Sequence, residues 1–248
     1  MRILIAEDDP LHRAFLRTTI EQMLPDAADI REAADGQAAI SLACEHAAEA
    51  AVLDLQLPSI SGAEAAKAIW RNDPTVRILF WSNYADEAYV RGVSKIVPAQ
   101  AVYGYVLKSA SEERMRYALR GIFLEEQCVI DREVWGIQQR TRNRREALTE
   151  LEYEVLVDVA LGLTDKAISQ RRNLSIRGVQ SRLHSLYEKL GLHDAAQGES
   201  EGDAVFNPRS RAVFIAFSRG LLNADALAKE DARLSSRGVA GPRTGARR

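Results

Sequence analysis

The sequence predicts an α/β fold, a doubly wound five-stranded parallel sheet, followed by an all-α helix-turn-helix domain. Three observations carry this. Short β-type runs alternate with stretches of helical apolar spacing over the first half of the 248 residues. Several of those runs end on a polar or charged residue, the pattern of strands whose C-terminal ends line a crevice. Beyond residue 146 the spacing is helical only.

The strands are read at Arg2 to Ala6, Ile30 to Ala33, Ala51 to Leu55, Val76 to Ser82 and Gly104 to Lys108. Between the first two, Leu11, Phe15, Leu16, Ile20 and Leu24 recur at helical intervals; after the second, Ala38, Ile40, Leu42 and Ala43 do so. Ser61-Gly62-Ala63-Glu64 is a capping box that opens the third helix. This first domain is placed at 1–125. Residues 126–146 turn irregular and then basic, with Arg140, Arg142, Arg144 and Arg145, and read as a linker. A second capping box, Thr149 to Glu152, opens a run with Val155, Leu156, Val159 and Leu163 on one face. Two more short helices follow, divided by Gly162 and by Asn173-Leu174-Ser175, which together make a helix-turn-helix. His193 to Asp203 reads as a flexible loop and Pro208 to Leu222 as a further helix. The second domain is placed at 147–225, and 226–248 as a disordered tail.

The formal net charge is only −2, but the first half leans acidic while Arg140 to Lys189 leans basic, so a nearly neutral total conceals an anion-binding half. Cys44 and Cys128 follow no metal or redox spacing and suit a reducing compartment. The chain enters a strand at once, without a basic and then apolar leader, and no apolar run approaches the roughly 20 residues that span a bilayer. The expectation is a soluble cytoplasmic protein without a membrane partner.

Chemistry gathers at the strand ends. Glu7, Asp8 and Asp9 close the first strand, Asp54 the third, Ser82 the fourth and Lys108 the fifth, and an open parallel sheet brings those ends to one edge. Mg²⁺ takes hard oxygen ligands and keeps some water, so carboxylates from Glu7, Asp8 and Asp54 suffice to hold it. Asp54 is then a nucleophile for a phosphoryl group, Lys108 a point charge for its oxygens and Ser82 a hydroxyl donor to one of them.

These residues resemble the receiver domain of bacterial two-component response regulators. The matching segments are Ile3 to Pro10, Asp54-Leu55-Gln56-Leu57-Pro58 with Gly62, Ser82, and Gly104 to Lys108, covering residues 1 to about 122. The resemblance implies that a sensor histidine kinase phosphorylates Asp54. It also implies that Asp8, Asp54 and the Gln56 carbonyl bind Mg²⁺ directly, with Glu7 acting through water. Ser82 and Tyr105 would be the switch pair, the hydroxyl moving to the phosphoryl group and the ring turning inward. Two features depart from that pattern. Asn83 stands where the family places Ala or Gly, which would narrow access to Asp54, and Val93 to Gln100 lengthens the passage into the fifth strand.

Residues 147–192 resemble the LuxR/NarL-type helix-turn-helix, on Leu148-Thr149, Glu152 to Leu156, Gly162 to Ile168 and Ser175 to Leu192. The helical spacing buries Ile176, Val179, Leu183, Leu186 and Leu190 and turns out Arg177, Gln180, Ser181, His184 and Ser185, which face double-stranded promoter DNA with Ser175 at the helix start. Lys166, Arg171, Arg172, Arg177, Arg182 and Lys189 are expected to meet phosphates. Gly178, Gln180 and Arg182 replace the usual Thr, Lys and His. The apolar face at Ala212 to Phe217 is expected to pack on the helix-turn-helix rather than to support a dimer.

The expectation is a phosphorylation-controlled, homodimeric transcription factor and not an enzyme. An aspartyl-intermediate phosphatase would place a second acid two residues after Asp54, where Gln56 stands. The alternative is a DNA-binding regulator whose receiver serves only as a dimer platform.

Overall fold

A computed structural model describes residues 1–25, 29–142, 147–192 and 206–236. They fall into two compact units, one of residues 1–85 and 89–138, the other of residues 86–88 and those from 139 onward.

The first unit is a parallel sheet in the order β2-β1-β3-β4-β5-β6. Its strands are β1 (Arg2–Ala6), β2 (Asp29–Ala33), β3 (Ala50–Asp54), β4 (Arg77–Ser82), β5 (Tyr103–Leu107) and β6 (Val129–Ile130). The helices between them are α1 (Pro10–Met23), α2 (Gly36–Glu45), α3 (Gly62–Asn72), α4 (Glu87–Ile96) and α5 (Glu112–Phe123). Strands β3, β4 and β5 are apolar on both faces because helices cover both, as a parallel sheet requires. One core layer joins α2, α3 and α4 to the sheet through residues such as Ala39, Ile69, Phe80 and Val90. The other sets Leu16 and Ile20 of α1 and Leu119 and Phe123 of α5 against Ile5, Val52 and Val106. Ser61 caps α3 in the expected box, its hydroxyl accepting from Glu64 N–H.

The sheet has one strand more than the sequence predicts, because part of the segment read as linker, 126–146, belongs to this unit. There β6 pairs in parallel with β5, Gly104 opposite Val129 and Tyr105 opposite Ile130. A strand of two residues is too short for periodicity to detect. Its close approach needs a glycine, since a Cβ on Gly104 would stand 2.7 Å from the Val129 carbonyl oxygen. Asp131 fastens the join: its N–H donates to the Tyr105 carbonyl at 2.9 Å, and its carboxylate accepts from Leu107 N–H and Arg114 Nε, both at 2.8 Å. Helix α6 (Arg132–Arg142) follows, with Val134 and Ile137 buried in the core. The passage Val93 to Gln100 is the last turn of α4 and a turn closed by Ala101 N–H on the Pro98 carbonyl.

The second unit contains α7 (Glu150–Ala160), α8 (Asp165–Arg172), α9 (Ile176–Leu190), α10 (Pro208–Ser218) and α11 (Ala224–Ser236). Thr149 caps α7 in the expected box, and Asn173, in the left-handed region, ends α8. Ala212 and Ala216 of α10 are buried with Leu156, Leu186 and Leu190, so this face packs on the helix-turn-helix, while Phe214 and Phe217 are exposed. Helix α11 corrects the reading of residues from 226 as a disordered tail. Leu227 packs on the core, Asn223 accepts from Ala226 N–H, and Glu230 pairs with Arg171 and Arg233. The contacts of Leu227 with the core and of Glu230 with Arg171 are tertiary, and a charged composition hides them. The side chains of Arg140 and Arg142, all of Arg144 and Arg145, the stretch His193 to Asp203 and the tail beyond 236 lie outside the described residues. No described helix is long and apolar enough to cross a membrane.

Candidate phosphoryl and nucleic-acid sites

At the C-terminal edge of the sheet, Lys108 Nζ lies 2.9 Å from Asp54 Oδ2 and 2.9 Å from Glu7 Oε1. All three side chains are almost wholly buried, which makes the ion pairs far stronger than they would be in water. Burial, the largest influence, and the neighbouring Asp54 charge hold the Glu7 carboxyl above its ordinary value despite Lys108. Burial also pushes the Lys108 ammonium down, but hydrogen bonds to the two carboxylates outweigh it and raise the pKa. Glu7 Oε2 is 2.8 Å from the same ammonium, so Lys108 faces both oxygens of that carboxylate. Exposed Asp8 stands at the rim, and one carboxylate oxygen from each of Glu7, Asp8 and Asp54 lies within 4.8 Å of the others. Asp9 is not part of that group: it caps α1, accepting from Leu11 N–H at 2.8 Å and His12 N–H at 2.9 Å.

The loop after β3 brings backbone to the carboxylate. Gln56 N–H donates to Asp54 Oδ1 at 3.0 Å, and the Gln56 side-chain amide donates to Tyr89 Oη on α4 at 3.0 Å. Ser82 and Tyr105 meet on one residue. Ser82 Oγ accepts from Tyr84 N–H at 3.3 Å, and Tyr105 Oη donates to the Tyr84 carbonyl at 2.7 Å. The Tyr105 ring is fully buried, so a ring expected to turn inward already lies inside. Asn83 is exposed.

Sequence reasoning missed the aromatic floor. His12 Nδ1 is 3.4 Å from Lys108 Nζ, and both groups lie against Trp81, whose ring centroid is 5.2 Å from each. His12 follows the cap residue Asp9 by three places in the first turn of α1, an interval that could have marked it. Tyr84 stacks on Tyr89 at 6.1 Å between centroids, a contact with no sequence signal.

In the second unit, Ser175 caps α9 by accepting from Gly178 N–H at 3.0 Å. Val179, Leu183, Leu186 and Leu190 are buried as expected, joined by Tyr187, whereas Ile176 is 50% exposed and leaves the buried stripe. Arg177, Gln180, Ser181, Arg182 and His184 are exposed on α9, as is Lys166 on α8.

Family models match residues 3–120 as a response regulator receiver domain and residues 146–198 as the LuxR family of bacterial regulatory proteins. The transcriptional regulatory protein YdfI of Bacillus subtilis is 31% identical over 230 residues, which is 90% of this chain and 99% of the relative. The chain belongs to the LuxR-type response regulators. The nitrate/nitrite response regulator NarP of Escherichia coli is 30% identical, spanning 77% of this chain and 89% of its own. The fold is similar to that of RcsB from Salmonella enterica serovar Typhimurium, with a TM-score of 0.57 at 22% identity, covering 90% and 100% of the two chains. This response regulator is thus a two-component transcription regulator with a LuxR-type DNA-binding domain.

Three cations of this response regulator that the sequence assigned to phosphates are spent inside its DNA-binding unit. Arg172 holds buried Asp158 through Nε at 2.7 Å, and Arg171 pairs with Asp158 and Glu230. Lys189 Nζ donates to Glu152 at 2.7 Å and to the Ala147 carbonyl at 3.0 Å. The partner of each lies well away in sequence, so spacing cannot separate an internal ion pair from a DNA contact.

Glu152 makes Lys189 testable. Burial, the largest influence, pushes the Glu152 carboxyl up, but hydrogen bonds from Lys189, Ser185 and Thr149 prevail and hold it down at about 2, against 4.5 ordinarily. A depressed folded-state pKa stabilises fully above the unfolded value, so stability of this unit should fall as pH drops from 4.5 toward about 2. Lys189→Met should lower stability at neutral pH by about 2 kcal/mol and flatten that acid dependence. The salt dependence of DNA affinity should keep its slope, whereas loss of a phosphate contact would reduce it by about 1. Thermal melts across pH and a salt titration of binding check both.

Proposed function

We propose that Asp54 accepts a phosphoryl group from a phosphohistidine of a sensor histidine kinase, and that the acyl phosphate controls dimerisation and promoter binding. The observation that carries this is the Asp54 carboxylate held by buried Lys108 beside Glu7 and Asp8. Glu7, Asp8 and Asp54 also suit Mg²⁺. Their oxygens are hard donors that lie within 4.8 Å of one another, and exposed Asp8 at the rim leaves room for retained water. The cation would be held by Asp8, Asp54 and the Gln56 carbonyl, with Glu7 through water, and would supply charge neutralisation for an incoming phosphoryl donor.

An Asp54 carboxylate oxygen attacks phosphorus, the bond from phosphorus to the histidine nitrogen breaks, and that nitrogen recovers its electron pair. Lys108 then transfers its hydrogen bond from Asp54 to a phosphoryl oxygen. The Ser82 hydroxyl turns to another, which leaves Tyr84 N–H without its acceptor and loosens the loop entering α4. Tyr105, tied to the same peptide, makes that loop respond as one piece. The protein is read as a switch and not as a turnover enzyme, since Gln56 supplies no acid for hydrolysis, and as a cytoplasmic homodimer on paired half-sites.

Incubation with acetyl phosphate and Mg²⁺, followed by mass and by promoter-fragment binding, tests the proposal. The expected result is one added phosphoryl group with tighter binding, both absent in Asp54→Asn. Unchanged binding with no phosphoryl gain would reduce the receiver to a platform.

A further inference from the structure

The outward face of α9 has a composition that selects among bases. Arg177, Gln180, Ser181 and His184 recur at helical spacing on its exposed side, opposite Val179, Leu183, Leu186 and Leu190. Glu188, one turn beyond His184 and 3.5 Å from it, puts a carboxylate at the C-terminal end of that stripe. An acid there repels phosphate, so the helix approaches DNA through its first two turns, where a recognition helix makes its base contacts.

Two side chains in those turns are specific in what they can read. The Gln180 side chain, exposed and without a hydrogen bond among the described residues, offers a carbonyl acceptor beside an amide donor. In the major groove only adenine pairs an N7 acceptor with an N6 donor in matching geometry, whereas guanine presents two acceptors. Ile176, four residues earlier and so neighbouring Gln180 on the helix surface, is 50% exposed and can offer only apolar contact. The thymine methyl is the one apolar group in that groove.

We infer that this regulator reads two adjoining A·T pairs in each half-site, Gln180 through the adenine of one and Ile176 through the thymine methyl of the other. Arg177 and Lys166, exposed and without an ion pair among the described residues, supply phosphate contacts. The inference rests on the DNA-binding reading above and assigns its base preference.

The test selects bound duplexes from a randomised library with the full chain, with and without acetyl phosphate and Mg²⁺. It compares wild type with Gln180→Lys, Gln180→Ala and Ile176→Ala, each checked for helix content and thermal midpoint. The wild type should recover adjoining A·T pairs. Gln180→Lys should replace adenine with guanine at one position, with a preference of roughly 5- to 150-fold, and Gln180→Ala should relax that position alone. Ile176→Ala should relax the adjoining thymine. Folded Gln180 variants that select the wild-type sequence unchanged, or that alter a G·C position, overturn the inference and leave DNA binding intact. A wild type that binds no duplex selectively overturns the DNA-binding reading with it.

Discussion

Lys108→Met should lower the stability of the receiver unit by about 3 to 5 kcal/mol at neutral pH, the cost of leaving a buried charge without its partner. Glu7 and Asp54 would then face each other in the sheet edge with no cation between them. The loss should shrink on acidification. Burial already holds the Glu7 carboxyl above its ordinary value against the pull of Lys108, and removing that pull raises it further. A carboxyl that binds its proton more tightly when folded loses stability as pH rises above its unfolded value, so the variant should be firmer near pH 5 than near pH 8. Mg²⁺ should recover more stability in the variant than in the wild type, because it would replace the missing charge. The chain's three tryptophans, Trp70, Trp81 and Trp135, all lie in the first unit. Urea titration followed by their fluorescence therefore reports the receiver without interference from the DNA-binding half. A variant with wild-type stability at every pH would show that the carboxylates do not need Lys108.

Gly62→Ala should be nearly as severe and should also slow phosphoryl uptake. A Cβ at this position would stand 1.8 Å from the Asp54 carbonyl oxygen and 2.7 Å from its carbon, contacts no packed structure tolerates. The start of α3 must shift away from β3, breaking the Gly62 N–H bond to the Leu55 carbonyl and displacing the phosphoacceptor backbone. A loss of about 3 kcal/mol is expected, at the upper end for overpacking. Gly92→Ala is the matched control. It lies inside α4 with nothing within 4 Å of the added carbon, and alanine there should stabilise the helix by about 1 kcal/mol. Uptake of phosphoryl from acetyl phosphate by mass, beside urea curves, separates the two. Equal behaviour of both variants would mean that the close approach at Gly62 is dispensable.

The phosphoryl crevice was legible because each of its members ends a strand, and parallel topology alone brings strand ends together. Glu7, Asp54 and Lys108 needed no further information to meet. The caps at Ser61 and Thr149 were legible for a similar reason, being local in sequence. What escaped was decided by partners far apart along the chain. Lys189 and Arg172 look like phosphate contacts until Glu152 and Asp158 are placed beneath them. Ile176 fits the buried period but, as the first residue of α9, stays half exposed, and α11 reads as a charged tail until Leu227 and Glu230 find the core and Arg171.

The sixth strand decides where this protein can be divided. The match to the receiver family ends at residue 120, which invites a cut shortly after α5. Such a fragment would strip Val129, Ile130 and Asp131 from β5 and leave its edge groups, now satisfied by that segment, open to any passing strand. It would also uncover the apolar ground beneath Val134 and Ile137. A naked strand edge beside a greasy patch is a template for aggregation, and an isolated receiver made that way would report on its own stickiness before it reported on signalling. A fragment meant to stay soluble should run through Gln138.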